Sequence, residues 1–187
     1  GGRFETCTRF THYVTKKVRL PQVRAKDFDE LIREAPKQQA ILVACVSAAV
    51  PLETSQALAL LEDAHGEIWE QYGDRDPETK RFRHKAEELP YRMLSFDMAE
   101  SRLLTQRYNL RSVPMYLIFY GGRLVYLSNT FTQRYDKLIE DRHPVVDRMY
   151  EKVSKFAFGL TKDDVLYTFE QARKDGAGGR FLGDDVR

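Results

Sequence analysis

The stretch that decides the fold is LSFDMAESRLLTQRYNLRSVPMYLIFYGGRLVY, Leu94 to Tyr126. It closes a run of β-type residues, Tyr91 to Asp97, that reads as a strand. Ala99 to Tyr108 follows with the spacing of a short helix. After a Ser112-Val113-Pro114 turn come two hydrophobic runs, Met115 to Tyr120 and Arg123 to Ser128. They are separated by Gly121-Gly122, a pair that favours a two-residue hairpin because both positions tolerate positive φ.

Upstream, Ala40 to Ser47 is an unbroken apolar run, the pattern of a central strand covered on both faces. Before it, Tyr13 to Leu20 alternates and reads as a strand ended by Pro21. Ala25 to Ala35 then places Phe28, Leu31 and Ile32 at helical spacing. After it, Glu53 to Tyr72 reads as a long helix with Leu58, Leu61, His65, Ile68 and Tyr72 on one face and Gly73 as its stop. Residues 73–89 mix charges of both signs and read as a surface insertion ending at Pro90. Beyond Gln133 the pattern is helical again. Leu138, Ile139, Val145, Val146, Met149, Val153 and Phe156 form an apolar stripe kinked at Pro144, and Gly159 reads as a helix end. Thr161 opens a last helix carrying Val165, Leu166 and Phe169. The order β-α-β-α-insert-β-α-β-β-α-α is that of an α/β domain with a mixed sheet.

That order, with Tyr108, Leu110, Ser112, Val113 and Pro114 in a Tyr-x-Ile/Val-x-Ser-Val-Pro pattern, resembles the thioredoxin family over residues 13 to 140. The resemblance implies a mixed β-sheet flanked by helices and a cis peptide bond before Pro114. Around that domain stand an N-terminal arm (1–12), the charged insertion (73–89), a C-terminal helical extension (141–173) and a Gly-rich tail (174–187) with little reason to fold alone.

The resemblance also implies a Cys-x-x-Cys at the start of the long helix, where a helix N-terminus stabilises a thiolate and the second thiol resolves a mixed disulfide. The chain has two cysteines, Cys7 and Cys45, and none after position 45. Counting from the central strand, the degenerate positions are Val50, Pro51, Leu52 and Glu53, with Val50 and Glu53 where the thiols would stand. Ala49 occupies the place of the tryptophan common before the motif. Cys45 lies inside the strand and reads as a small hydrophobe in the core. Cys7 lies in the arm. No catalytic residue and no cofactor are expected. The groove residues Val113 and Pro114 remain, so the shape for binding extended peptide is retained where the redox chemistry is not.

Other chemistry is sparse. His12, His65, His84 and His143 show no metal-ligand spacing with one another or with cysteine, so no metal is expected, and His65 reads as a satisfied core or boundary residue. Gly176-Ala-Gly-Gly179 follows a helix and reads as flexible tail, not as a phosphate loop. Thirty basic and 28 acidic side chains leave a net charge of +2, which disfavours nucleic acid as the main partner. Arg81, Arg83, His84 and Lys85 around Phe82 are diluted by Glu87 and Glu88, and read as a solvated or protein-contacting face. No apolar run reaches the ~20 residues of a membrane span.

With the cysteine pair gone, the additions to the scaffold carry the information. An arm and a tail of this kind need a neighbour to hold them. The leading expectation is a non-catalytic accessory subunit of a large multiprotein complex, whose partners are other protein subunits. The start at Gly1, without an initiator Met, fits a processed chain. The resemblance extends to redox-silent thioredoxin-like subunits of mitochondrial assemblies, with the near-neutral charge favouring the respiratory-chain type over the mitoribosome. A cytoplasmic setting is the other option. The alternative is a thioredoxin-like chaperone or assembly factor, and the third reading is a thiol enzyme using Cys45 or Cys7.

Overall fold

The computed structural model describes residues 17–133 and 159–183. The arm with Cys7 and His12, the stripe from Leu138 to Phe156 with His143, and the last four residues lie outside the described residues.

Four strands form one sheet: β1 (Ala40–Val46), β2 (Tyr91–Asp97), β3 (Met115–Tyr120) and β4 (Arg123–Ser128), in the order β2-β1-β3-β4. β1 runs parallel to β2 and antiparallel to β3, and the β3–β4 hairpin turns on Gly121 and Gly122, both at positive φ. Every residue of β1 is buried, as its unbroken apolar run requires.

Two clusters cover the two faces. On one, α1 (Ala25–Glu34) and α3 (Arg102–Arg107) press Phe28, Ile32 and Leu104 against Ile41, Val43, Cys45, Leu94 and Phe96. On the other, α2 (Pro51–Tyr72) and α4 (Lys162–Ala177) pack Leu61, Ala64, Ile68, Val165 and Phe169 against Leu42, Met93 and Ile118. The stretch read as an extension therefore supplies a wall of the sheet's own core. Thr161 opens α4 as expected: its backbone N–H donates to the Asp164 carboxylate at 2.8 Å.

Four details depart from the sequence reading, each for a physical reason. Among the described residues, 17–20 form no strand. The edge beside β2 is held by a Gln22–Ser95 bridge, with Val23 N–H on Ser95 O at 2.8 Å and Ser95 N–H on Pro21 O at 2.9 Å. Pro21 has no N–H to extend that ladder, and Val18 N–H turns instead to Glu62 O at 3.1 Å. The helix expected over Ala99 to Tyr108 is split into a 3₁₀ turn, Met98–Glu100, and α3, because the Ser101 side chain caps Leu104 N–H at 3.2 Å.

Gly73 ends α2 at φ −80°, so it is not needed for positive φ. A β-carbon there would come within 2.5 Å of Trp69 O and 2.6 Å of the Phe82 ring. The described part of the glycine-rich tail, residues 174–183, is also not slack. α4 continues to Ala177, Gly176 lies where a β-carbon would strike Tyr120 at 2.5 Å, and Gly179 closes the helix at φ +75°. Arg180 N–H returns to Asp175 O at 2.8 Å and Gly179 N–H to Gly176 O at 3.0 Å, the paired bonds of a Schellman cap. Leu182 N–H then joins Leu124 O on β4 at 3.0 Å.

Candidate functional site

The candidate site is the end of the sheet where β1 finishes and β3 begins. Cys45 pairs with Met115, so the end of β1 at Val46 and the following Ser47 lie at the end of the sheet where Val113 and Pro114 lead into β3. The Val113–Pro114 peptide bond is cis. Ser112 Oγ donates to Met115 Sδ at 3.3 Å, closing the turn onto β3.

On the β1 side a short turn, Ser47 to Val50, leads into α2. Thr54 locks it: its hydroxyl donates to Ser47 O at 2.7 Å and accepts from Ser47 N–H at 3.2 Å. Val50 N–H reaches Ser47 O at 3.0 Å. Val50 is the N-cap residue and Pro51 the first helical residue, where the missing N–H and fixed φ cost nothing. Glu53 lies in the first turn, where the helix dipole favours a carboxylate. The structure thus puts Val50, Pro51, Leu52 and Glu53 at the helix start, and the register brings Val113 and Pro114 to the same end of the sheet. Leu52 is 64% exposed; Val50, Val113 and Pro114 are half-buried. The surface offered is apolar, with one carboxylate beside it.

Cys45 is wholly enclosed, paired with Phe96 on one side and Met115 on the other. Burial pushes its thiol up to about 12. A thiol so placed packs as a small hydrophobe.

The other titratable candidates are used structurally. His65 is buried on α2, with Nδ1 against Val18 O at 3.1 Å and Nε2 accepting from the Trp69 indole N–H at 3.0 Å. Those partners assign the proton to Nδ1, and burial holds the ring below its ordinary pKa. The charged insertion is knitted to itself. Arg75 lies over the Phe82 ring at 4.3 Å, Arg83 meets Asp74 at 3.0 Å, and His84 Nδ1 is 2.8 Å from Glu88. Phe82 packs on Trp69 with centroids 5.1 Å apart, so this aromatic is anchored inward. Among the described residues no group of three His, Cys, Asp or Glu side chains is arranged to hold a metal, and no helix is long and apolar enough to cross a membrane.

The sheet order, the parallel β1–β2 crossover through α2, and the cis proline opening β3 define a thioredoxin-like fold. No family model and no curated protein matches the sequence. Solved structures do resemble it. Zinc-bound human ERp44 aligns at TM-score 0.44 and 16% identity, over 57% of this chain and 26% of its own, so the chain spans about a quarter of ERp44. Oxidised mitochondrial thioredoxin 3 from Saccharomyces cerevisiae aligns at TM-score 0.37 and 13% identity, over 58% of this chain and 81% of its own. A designed protein aligns at TM-score 0.42 and 12% identity, over 74% and 97%.

Proposed function

We propose that this chain is a redox-silent thioredoxin-like subunit that serves as a protein-binding scaffold in a larger multiprotein assembly, with a mitochondrial complex of the respiratory type as its setting. One observation carries the first half of this reading. Where thioredoxin chemistry needs two thiols at a helix start, this chain has Val50 and Glu53, and the one described thiol is sealed in the core. With no thiolate at the site, electron transfer has no route through it. The second half is supported by the charged insertion, which costs chain length and is folded onto α2.

Purification of the tagged protein from its source tests both halves. Stoichiometric partners that survive salt washing, with no insulin-reducing activity, are the expected result. A free monomer would sink the subunit reading. Insulin reduction that disappears in Cys45→Ser would sink the redox-silent reading in favour of a thiol enzyme.

A second reading, a chaperone or assembly factor that grips extended peptide, is favoured by the exposed Leu52 at the same end of the sheet as half-buried Val113 and Pro114. Pairing of a client along a strand edge would supply the affinity. Partners that exchange within minutes, in place of a fixed stoichiometric set, would select it.

A further inference from the structure

Trp69 is the chain's single tryptophan, and it is held from two sides. Its indole N–H donates to His65 Nε2 at 3.0 Å, and its rings pack on Phe82 of the charged insertion with centroids 5.1 Å apart. His65 is 4% exposed, and its other nitrogen, Nδ1, lies 3.1 Å from Val18 O. A carbonyl only accepts, so Nδ1 carries the proton and Nε2 keeps the lone pair that the indole needs. Phe82 in turn anchors the outer insertion, residues 74–84. It bridges to Arg75, and the hairpin so closed has Asp76 N–H on Arg81 O at 2.7 Å and Arg83 N–H on Asp74 O at 2.9 Å.

A proton on Nε2 is incompatible with this arrangement. An imidazolium has two donors and no acceptor, so the indole N–H would face another N–H and one ring must turn away. There is room to turn. A cavity of about 290 Å³ adjoins the pair, with Val18, Arg19, His65, Trp69, Phe82 and Arg92 among its lining residues. The charged groups on the surrounding elements are accounted for. Arg19, from the segment before α1, and Arg92, on β2, share the cavity wall with the ring and disfavour a second positive charge; Arg92 meets Glu87 of the insertion at 3.7 Å. On α2, Asp63 pairs with Lys17 at 3.8 Å and Glu67 with Lys162 of α4 at 3.4 Å, and Glu62 stands one turn before His65. Among the described residues no carboxylate pairs with the ring to hold it charged. The insertion has one titratable pair of its own, His84 with Glu88 at 2.8 Å, on the exposed side.

We propose that His65 is an acid-sensitive latch: neutral, it fixes Trp69 against Phe82 and so holds residues 74–84 on α2, and protonated at Nε2 it releases the indole and loosens that part of the insertion while the sheet stays folded. Burial holds the ring below its ordinary value of about 6.5, so the latch is closed above that pH and opens as the pH falls through the folded value. This device is independent of the scaffold reading and stands whether or not the chain is a subunit.

The test is an NMR titration of the isotope-labelled full chain from about pH 7.5 to about pH 4.5, a range that brackets histidine. The single indole N–H resonance should move together with the His65 ring in one transition. Through that transition the protection of the Asp76 and Arg83 amides against exchange should fall about tenfold, the size of one lost contact, while β1 amides keep theirs. His65→Gln retains an acceptor for Trp69 and a donor for Val18 but takes no charge, so both responses should be flat. His84→Gln removes the insertion's own titrating ring and should leave both responses in place. The proposal is overturned if the His65 ring stays neutral throughout, if the indole signal stays fixed while the ring titrates, or if β1 amides lose protection at the same pH. These three outcomes are read on the unmodified chain and need no variant to fold. A response that survives His65→Gln, or that disappears in His84→Gln, also overturns it.

Discussion

The sealed thiol gives the sharpest prediction. In a Cys7→Ser background the only remaining cysteine is Cys45, with 0% exposure and its thiol pushed up to about 12. At about pH 8 an ordinary thiol with a pKa near 8.5 is roughly one-quarter thiolate, whereas one near 12 is about one part in 10⁴. Since the thiolate is the reacting form, the folded protein should label with a disulfide reagent about three orders of magnitude more slowly than a free cysteine, before any cost of opening the core. Absorbance at 412 nm, on the order of minutes with and without urea, reads this directly. No labelling in buffer and one equivalent in urea are expected. The same shift predicts an alkaline effect. A pKa raised by folding means that the folded state holds the proton more tightly, so the stabilisation is whole below the unfolded pKa and is lost as pH climbs toward the folded value. Between about pH 8 and about pH 10 the loss is about 1–2 kcal/mol. Urea midpoints should therefore fall more steeply over that range for the Cys7→Ser protein than for the same protein carrying Cys45→Ala. Prompt stoichiometric labelling of the folded chain would refute the claim that this thiol is core filler.

Two further outcomes follow from packing and protonation. Gly176→Ala should destabilise by about 1 kcal/mol in urea unfolding, because overpacking costs about 1–3 kcal/mol and the helix-propensity gain returns about 1; Gly178→Ala, whose nearest contact is an ordinary 3.4 Å, should be close to neutral. Stability should fall as pH drops from about 7 to about 5, because His65 has a depressed pKa and its contribution, whole above the unfolded value near 6.5, is lost on the way down to the folded one; a flat profile over that range in urea midpoints would contradict the neutral Trp69–His65–Val18 relay.

Strand positions were legible where the sequence pattern has one physical meaning. The apolar run at β1, the Gly-Gly hairpin and the strand ending at Asp97 all have bounds that match the residues to within one position. Glycine was the least legible residue, because it has two uses with one appearance. In Gly121-Gly122 it supplies conformational freedom, as expected, but Gly73 and Gly176 are there for the space a β-carbon would take from Trp69 and Tyr120. Those contacts come from elements far apart in sequence and leave no local trace. The same distance hides a cavity lined in part by Tyr72, Tyr91 and Tyr167, which stand on three separate elements. The His65–Trp69 pair is half visible, since a four-residue step places both on one helix face, but its third member, Val18 O, sits in a stretch whose alternation predicts a strand.

The turn after β1 is held in place without any thiol. Thr54 fastens both backbone groups of Ser47, Pro51 fixes the first helical φ, and Val50 caps the helix without a side-chain hydrogen bond. Each of these interactions is independent of a cysteine, so the shape of the site is specified by packing and hydrogen bonds rather than by chemistry. On the facing strand, Val113 and Pro114 are held by the ladder that begins at Met115. On the proposed redox-silent reading, a site specified in this way keeps its contour with Val50 and Glu53 where the thiols would stand. What it then presents to a neighbour is aliphatic surface and a single carboxylate. On the proposed scaffold reading such a surface acts through complementarity to a partner, so binding is the measurement that tests it.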